Sequence, residues 1–90
     1  MEETMTEFEK YEMYERCIPT YLKHDIEEYL KNKDNKECKH IDCLLDEIYG
    51  SINSALYSNE ITEEQANYLR DKYYYGKDWR KGERTNYGVN

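Results

Sequence analysis

The sequence has few of the residues that interrupt helices or build strands. One proline and four glycines occur in 90 residues, and the β-branched residues never alternate with polar ones over a run of strand length. Strands depend on such alternation, whereas amphipathic helices depend on apolar residues three and four positions apart. The sequence therefore predicts an all-α fold in one small domain.

Long apolar runs are also lacking. No segment approaches the roughly 20 apolar residues that a membrane-spanning helix needs, and the first residues, MEETMTE, lack the apolar core of a signal peptide. We therefore expect a cytoplasmic protein that does not associate with membranes. Three cysteines, an odd number, fit a reducing compartment in which thiols stay free or bind metal.

No catalytic signature is present. The sequence contains no Walker loop, no dinucleotide fingerprint, no HExxH motif and no EF-hand loop. A cysteine beside a histidine could form a nucleophilic pair, but neither a glycine-rich oxyanion loop nor an orienting third group accompanies it. We therefore predict that the protein is not an enzyme, and a cysteine-dependent enzyme is kept only as a third class of function.

A group of cysteines and histidines is the one candidate for holding a cofactor. The candidate ligands of a structural zinc ion are Cys38, His40 and Cys43, with Cys17 as the fourth ligand or His24 in its place. His40 and Cys43 would share a helical face, and zinc takes four nitrogen or sulfur ligands. The spacing is not a paired C-x-x-C pattern, so the alternative is free thiols at the edge of the core.

One stretch, residues 40–57, repeats apolar residues at helical spacing over several turns. We predict that it forms the long central helix on which about three others pack. Gly50 lies in its middle, and we attribute this glycine to the close approach of a neighbouring helix. The other predicted helices are residues 7–17, a second starting at Pro19 and ending before the polar loop 32–35, and residues 63–75 before Gly76. Residues 1–76 would form this domain, and residues 77–90 a flexible, irregular tail that is basic and aromatic.

Charge is spread unevenly along the chain. The formal net charge is −7; the residues from 77 onward contribute +2, so the first 76 carry −9. The acidic side chains predicted to face a partner are Glu9, Glu12 and Glu15 in one line, extended by Glu27 and Glu28. Carboxylates about 5–6 Å apart are spaced like the phosphates of a nucleic-acid strand, so the row fits a groove lined by Lys and Arg. Direct binding of nucleic acid is disfavoured, and the alternative is a solvated face.

Aromatic and basic residues are combined in residues 73–80, YYYGKDWR. Successive residues on a helix point about 100° apart, so at least one of the three tyrosines is exposed. We predict that Tyr74 and Trp79 bind a partner protein, since Tyr, Trp and Arg dominate binding hot spots. The alternative is that Tyr73 and Trp79 close the end of the bundle.

Two segments, IDCLLDEIYGSINSA and ITEEQANYLRDKY, resemble small proteins encoded by phages and conjugative elements of Gram-positive bacteria. The likeness lies in packing and capping residues, and it implies no site residues. More broadly, a short, acidic, tyrosine-rich helical protein resembles anti-CRISPR proteins that inhibit the type II effector nuclease, some of which mimic nucleic acid and one group of which binds zinc. The resemblance implies a place of action in the cytoplasm of a host bacterium.

Two functions follow as expectations. The first is a non-enzymatic inhibitor whose acidic surface occupies a basic, nucleic-acid-accommodating site on a type II CRISPR effector nuclease and prevents DNA binding. The second is a small structural or adaptor protein, stabilised by zinc if the cysteines bind it. Such an adaptor would dock on a phage or host protein through the aromatic C-terminal segment.

Overall fold

The computed structural model describes residues 6–37 and 40–85. No strand occurs within these ranges, and the prediction of an all-α fold with about four helices is confirmed. The elements are α1 (Glu7–Arg16), α2 (Thr20–Asn32), α3 (Ile41–Tyr57) and α4 (Glu63–Leu69), followed by a π-helical segment (Arg70–Tyr75) and one 3₁₀ turn (Trp79–Lys81). None of the described helices is both long enough and apolar enough to cross a membrane.

Two helices begin with capping boxes. At α1, the Thr6 hydroxyl accepts from the backbone N–H of Glu9 at 3.1 Å, and the Glu9 carboxylate accepts from the Thr6 backbone at 2.9 Å. Thr62 and Gln65 form the same reciprocal pair at α4. Each box satisfies backbone donors that the first helical turn leaves unpaired. Pro19 separates α1 from α2 and precedes the first residue of α2.

The core is built around α3, which contributes the fully buried side chains of Ile48, Ile52 and Ala55. Helix α2 packs along α3, while α4 and the π-helical segment cover another side of it. The remaining buried apolar residues are Tyr11, Tyr14, Leu22, Ile26, Ile61, Ala66, Tyr68, Leu69 and Trp79. Four of these are aromatic, so three tyrosines and the tryptophan complete a small aliphatic core.

A buried glutamine attaches α1 to α4. The side-chain amide of Gln65 donates to the carbonyl of Tyr14 at 3.1 Å and to that of Cys17 at 2.9 Å. Both carbonyls belong to the last turn and the C-cap of α1, where helical acceptors have no intrahelical partner. The Gln65 side chain therefore satisfies two carbonyl groups at the end of α1, while the Gln65 backbone belongs to the first turn of α4.

Gly50 is not a point of contact between helices, so that prediction was wrong. A Cβ atom placed at Gly50 would meet no atom within 4 Å, and the residue is exposed on the outer side of α3. Apolar positions of α3 on either side of Gly50 turn toward the core, whereas position 50 points to solvent. Nothing in the described part of the chain accounts for glycine at this position.

Replacing Gly50 with alanine is therefore expected to raise the free energy of unfolding by about 1 kcal/mol, because alanine loses less backbone entropy in a helix. Chemical denaturation with circular dichroism measures the change. Gly76→Ala is the matched control: Gly76 has φ of 69°, which L-residues rarely adopt, so alanine there should cost about 1 kcal/mol or more. A destabilising G50A would mean that the outer side of α3 is covered.

The end of α4 differs from the continuous α-helix that was expected. Regular α geometry stops at Leu69, and residues 70–75 wind as a π-helix that ends at Gly76 in the left-handed conformation. The N–H of Lys77 then donates to the carbonyl of Asp71 at 2.7 Å. The wider turn places Asp71 in the interior, fully buried, and leaves Tyr74 and Tyr75 at the surface. Such π-helical turns are rare and often lie at functional sites.

The sequence placed residues 77–90 outside the domain, but residues 77–85 pack on it. Trp79 is only 5% exposed, and its indole ring lies among the tyrosines of α1 and α4. Burying a tryptophan removes a large apolar area from water, which favours this packing. Because the segment follows Gly76 closely, it reaches the end of the bundle without a long loop. Residues 86–90 lie outside the described residues.

Candidate protein-binding surfaces

The acidic line predicted on α1 is divided by the fold. Glu12 is exposed, and Glu9 is exposed but serves in the capping box of its own helix. Glu15 instead turns toward the bundle, because it lies one helical turn after Tyr11, which is buried. Its inclusion in an outward-facing row was wrong. Only Glu9 and Glu12 of the line remain available to a partner.

Glu15 is the centre of an internal polar network. Its carboxylate accepts from the Tyr68 hydroxyl at 2.6 Å and from Lys72 Nζ at 2.5 Å, and Arg80 Nη1 lies 3.8 Å away. Burial acts to raise the pKa of Glu15, but the hydrogen bonds from Lys72 and Tyr68, together with the charges of Lys72 and Arg80, hold the pKa below its usual range. Burial, together with the hydrogen bond to Glu15, raises the pKa of Tyr68 far above its usual value. This glutamate joins α1 to the C-terminal half of the chain.

Trp79 is not a partner-binding residue, because its surface is used inside the molecule. The indole ring lies edge-on to Tyr68 at 5.4 Å and to Tyr11 at 5.9 Å, and its N–H donates to the buried carboxylate of Asp71 at 2.6 Å. The same carboxylate accepts from the Thr85 backbone at 3.1 Å and from its hydroxyl at 2.5 Å. The alternative interpretation, in which the tryptophan closes the end of the bundle, is the arrangement observed.

Tyr74, by contrast, is exposed, as its prediction as a binding residue requires. It is 41% exposed and Tyr75 is 44% exposed. The Tyr74 ring centroid lies 4.8 Å from that of Tyr49 on α3 and 5.1 Å from that of Tyr75, and the guanidinium of Arg70 lies 5.4 Å from the Tyr49 ring. We call Tyr49, Tyr74 and Tyr75 the tyrosine patch. Its rings are fixed against one another, so a partner would meet a preorganised aromatic surface.

The two glutamates predicted on α2 lie in different settings. Glu27 is exposed, whereas Glu28 is half-buried and has a weak surface ion pair with Lys31 at 4.0 Å. Glu28 also lines a groove between α2 and α3, which it shares with Asp25 and Glu47. Asp25 accepts a hydrogen bond from Ser51 across this helix pair. The groove therefore brings carboxylates of two helices together, and Glu47 was not among the predicted residues.

The predicted zinc ligands are not brought together in the described part of the chain. Cys17 and Cys43 are exposed free thiols, while His40 lines the α2–α3 groove opposite His24. No group of three or more cysteine, histidine or acidic residues suited to a metal ion occurs within residues 6–37 and 40–85. Cys38 lies outside the described residues.

A further acidic surface lies on α3, outside the residues predicted to face a partner. Asp42, Asp46 and Glu47 are all exposed on α3, and no Lys or Arg of the described chain lies within 4.0 Å of their carboxylates. From residue 41 to residue 69 the sequence has six acidic residues and no Lys or Arg. We call Asp42, Asp46, Glu47, Gly50 and Ser54 the outer face of α3.

Several basic residues near the C-terminal end are used within the molecule and do not neutralise this face. Lys72 and Arg80 contact Glu15, the Arg84 guanidinium lies 3.8 Å from the Trp79 ring centroid, and Arg70 is held by Asn53 and Asn67. In the sequence, the acidic face of α3 is indicated by a long stretch without a basic residue. That stretch also contains the longest apolar stripe of the chain, and the partner-binding carboxylates were predicted on α1 and α2.

Comparison of the chain with protein-family models, with curated proteins and with solved structures finds no match.

Proposed function

We propose that the protein is a non-enzymatic inhibitor that binds, through its acidic surface, a basic site that normally accommodates nucleic acid on a host protein. The partner that the resemblance suggests is the type II CRISPR effector nuclease, with the loss of DNA binding as the consequence. The proposal locates the contact on the outer face of α3 together with the exposed carboxylates of Glu12 and Glu27.

The observation that carries the proposal is the row of carboxylates on α3 that form no ion pair with the described residues. Asp42 and Asp46 are one helical turn apart, and neither has a basic neighbour in the described chain within ion-pair distance. Keeping like charges together on one helix costs a few tenths of a kcal/mol per pair. A partner surface rich in Lys and Arg would relieve this repulsion, and the attraction would also speed its association.

The placement on a helix suits the imitation of a nucleic-acid strand. Side chains three and four residues apart on a helix lie about 5–6 Å from each other, and α3 is fixed by buried side chains along its opposite side. The carboxylates are thus presented on a rigid element. Binding would lose little conformational entropy, because the face is already ordered before the partner arrives.

A competition experiment tests this function. The guide-loaded effector nuclease is mixed with fluorescent target DNA and increasing amounts of the protein, and DNA binding is followed by anisotropy. We expect the wild type to displace the DNA. The variant D42N/D46N/E47Q should need about tenfold more protein or higher for half displacement, because each lost contact between opposite charges weakens binding.

The matched control is D34N/E37Q/E63Q, which removes the same charge from exposed positions outside α3 and should displace DNA like the wild type. The variant E12Q/E27Q measures the contribution of α1 and α2. Failure of the wild type to displace DNA contradicts the proposed partner, and equal effects of the two triple variants contradict the proposed surface.

The tyrosine patch favours a second candidate function. Two exposed tyrosines beside an arginine are the composition of a binding hot spot, and Tyr57 at the end of α3 is 88% exposed. We propose as the alternative an adaptor that docks on a phage or host protein mainly through these rings. Aromatic docking responds little to salt, whereas contacts between exposed charges weaken as salt is added, so salt dependence separates the two functions.

A further inference from the structure

We propose that the tyrosine patch and the outer face of α3 together accept an arginine side chain of the partner, with the guanidinium beside Tyr74 and between Asp42 and Asp46. The inference deepens the proposed function and depends on it only for the identity of the partner. Its own content is the chemistry of the contact: an arginine rather than a lysine, held at one place on the surface.

The place is a shallow depression at the junction of α3 and the π-helical segment. Its lining consists of Asp42, Leu45, Asp46 and Tyr74, and we call it the α3 notch. Two carboxylates, one aromatic ring and one aliphatic side chain thus converge from two elements. The π-helical winding supplies the ring, because it is this segment that leaves Tyr74 at the surface next to α3.

Arginine fits these groups better than any other side chain. A guanidinium is flat, so it can stack on a tyrosine ring while its N–H groups donate to a carboxylate in the plane. A lysine ammonium is a compact, strongly hydrated charge and has no flat face to stack. Leu45 would contact the methylene stem of the incoming side chain, as apolar surfaces commonly do with long basic residues.

The chain already covers its own aromatic rings with arginine. Arg70 lies over Tyr49, Arg80 over Tyr11 and Arg84 over Trp79, at 5.4, 5.7 and 3.8 Å from the ring centroids. Arg70, which borders the tyrosine patch, is held in place by Asn53 and Asn67. It therefore covers the neighbouring ring, and no Lys or Arg among residues 6–37 and 40–85 forms an ion pair with the carboxylates of the notch.

Gly50 gives the partner segment room beside the notch. It lies one helical turn beyond Asp46 on the outer face of α3, with open space above its backbone. A segment that places an arginine in the notch could continue along α3 without meeting a side chain at this position. A glycine that weakens the central helix and serves no packing purpose is thereby explained by an intermolecular approach.

The test uses the full chain, isotopically labelled, and two probes: octa-arginine and octa-lysine peptides, titrated by amide NMR. We expect octa-arginine to bind about two- to fivefold more tightly than octa-lysine. The largest shift changes with octa-arginine should fall at Asp42, Leu45, Asp46 and Tyr74. Tyr74→Leu, which keeps apolar bulk but removes the ring, should abolish the preference for arginine.

Tyr57→Leu is the matched control, because it removes an exposed ring at the far end of α3 and should leave the preference intact; the amide spectrum of each variant verifies its fold. Equal affinities for the two peptides, a preference that survives Y74L, shifts centred on α1 or α2, or no binding would each overturn the inference. If octa-arginine binds in the notch but the protein does not displace DNA from the nuclease, the proposed function alone is refuted. If the protein displaces DNA but octa-arginine does not bind in the notch, the notch alone is refuted.

Discussion

Replacing Trp79 with alanine is expected to lower the free energy of unfolding by about 3–5 kcal/mol. The indole is 5% exposed and packs edge-on against Tyr11 and Tyr68, so alanine leaves a cavity between α1 and the C-terminal segment. It also takes one hydrogen-bond donor from the buried carboxylate of Asp71. Since small domains are stable by only about 5–15 kcal/mol, urea denaturation followed by circular dichroism should detect the loss easily.

Two variants give this prediction its controls. Tyr57→Ala removes an aromatic ring that is 88% exposed and should change the free energy of unfolding by no more than about 0.5 kcal/mol. Trp79→Phe keeps a ring but removes the donor to Asp71, so an intermediate loss of about 1–3 kcal/mol is expected. If W79A were as mild as Y57A, residues 77–85 would be the separate tail that the sequence suggested.

The second large effect is expected at Glu15. Replacement with alanine should cost about 2–3 kcal/mol, because the Tyr68 hydroxyl, on a residue 2% exposed, loses its acceptor and two basic side chains lose their partner. Glu12→Ala, an exposed neighbour on the same helix, is the control and should be within about 0.5 kcal/mol of the wild type. Equal effects of the two variants would show that Glu15 lies at the surface.

Glu15 also predicts how stability depends on pH. Its pKa in the folded protein is below the usual range, because hydrogen bonds from Lys72 and Tyr68 and the charges of Lys72 and Arg80 together exceed the opposing effect of burial. A carboxylate with a lowered pKa stabilises the fold above its unfolded value, about 4.3, and this stabilisation is lost as pH falls through the folded pKa. Urea denaturation from pH 6 to pH 3 should give a shallower decline for Glu15→Gln than for the wild type; parallel curves would contradict this prediction.

The helices could be read from the sequence because their signals are local. The capping boxes at Thr6 and Thr62 use residues three apart, and both are present. Pro19 marks the break between α1 and α2, and the apolar stripe of α3 is buried where its periodicity placed it. These features depend on hydrogen bonds and side-chain directions within a few residues, which are the same in any all-α protein.

The site could be predicted only in part, because it depends on which side of each helix the other helices cover. Three-residue spacing placed Glu9, Glu12 and Glu15 in one line, but the burial of Tyr11 turns the last of them inward. The four-residue interval from Tyr11 to Glu15 puts the two side chains on one helical face, and it could have predicted that Glu15 turns inward. The change to π-helical winding after Leu69, and with it the positions of Tyr74 and Trp79, had no local signal.

The acidic face was missed for a different reason. Asp42, Asp46 and Glu47 share α3 with the most apolar residues of the chain, and the binding surface was predicted on α1 and α2 instead. Helix α2 covers one side of α3, and α4 with the π-helical segment covers another, so the remaining side stays in solvent. The absence of Lys and Arg from residue 41 to residue 69 was the signal that this side carries charge without compensation.

The central claim is that the exposed carboxylates on α3 carry the binding of a basic, nucleic-acid-accommodating site. The most direct measurement is the dissociation constant of the complex with the guide-loaded effector nuclease as a function of salt, for the wild type and for D42N/D46N/E47Q. We predict that wild-type binding weakens by about tenfold or more between roughly 0.05 and 0.3 M NaCl, while the variant binds weakly with a much flatter dependence. Wild-type binding that does not change with salt, or parallel lines for the two proteins, would contradict the account.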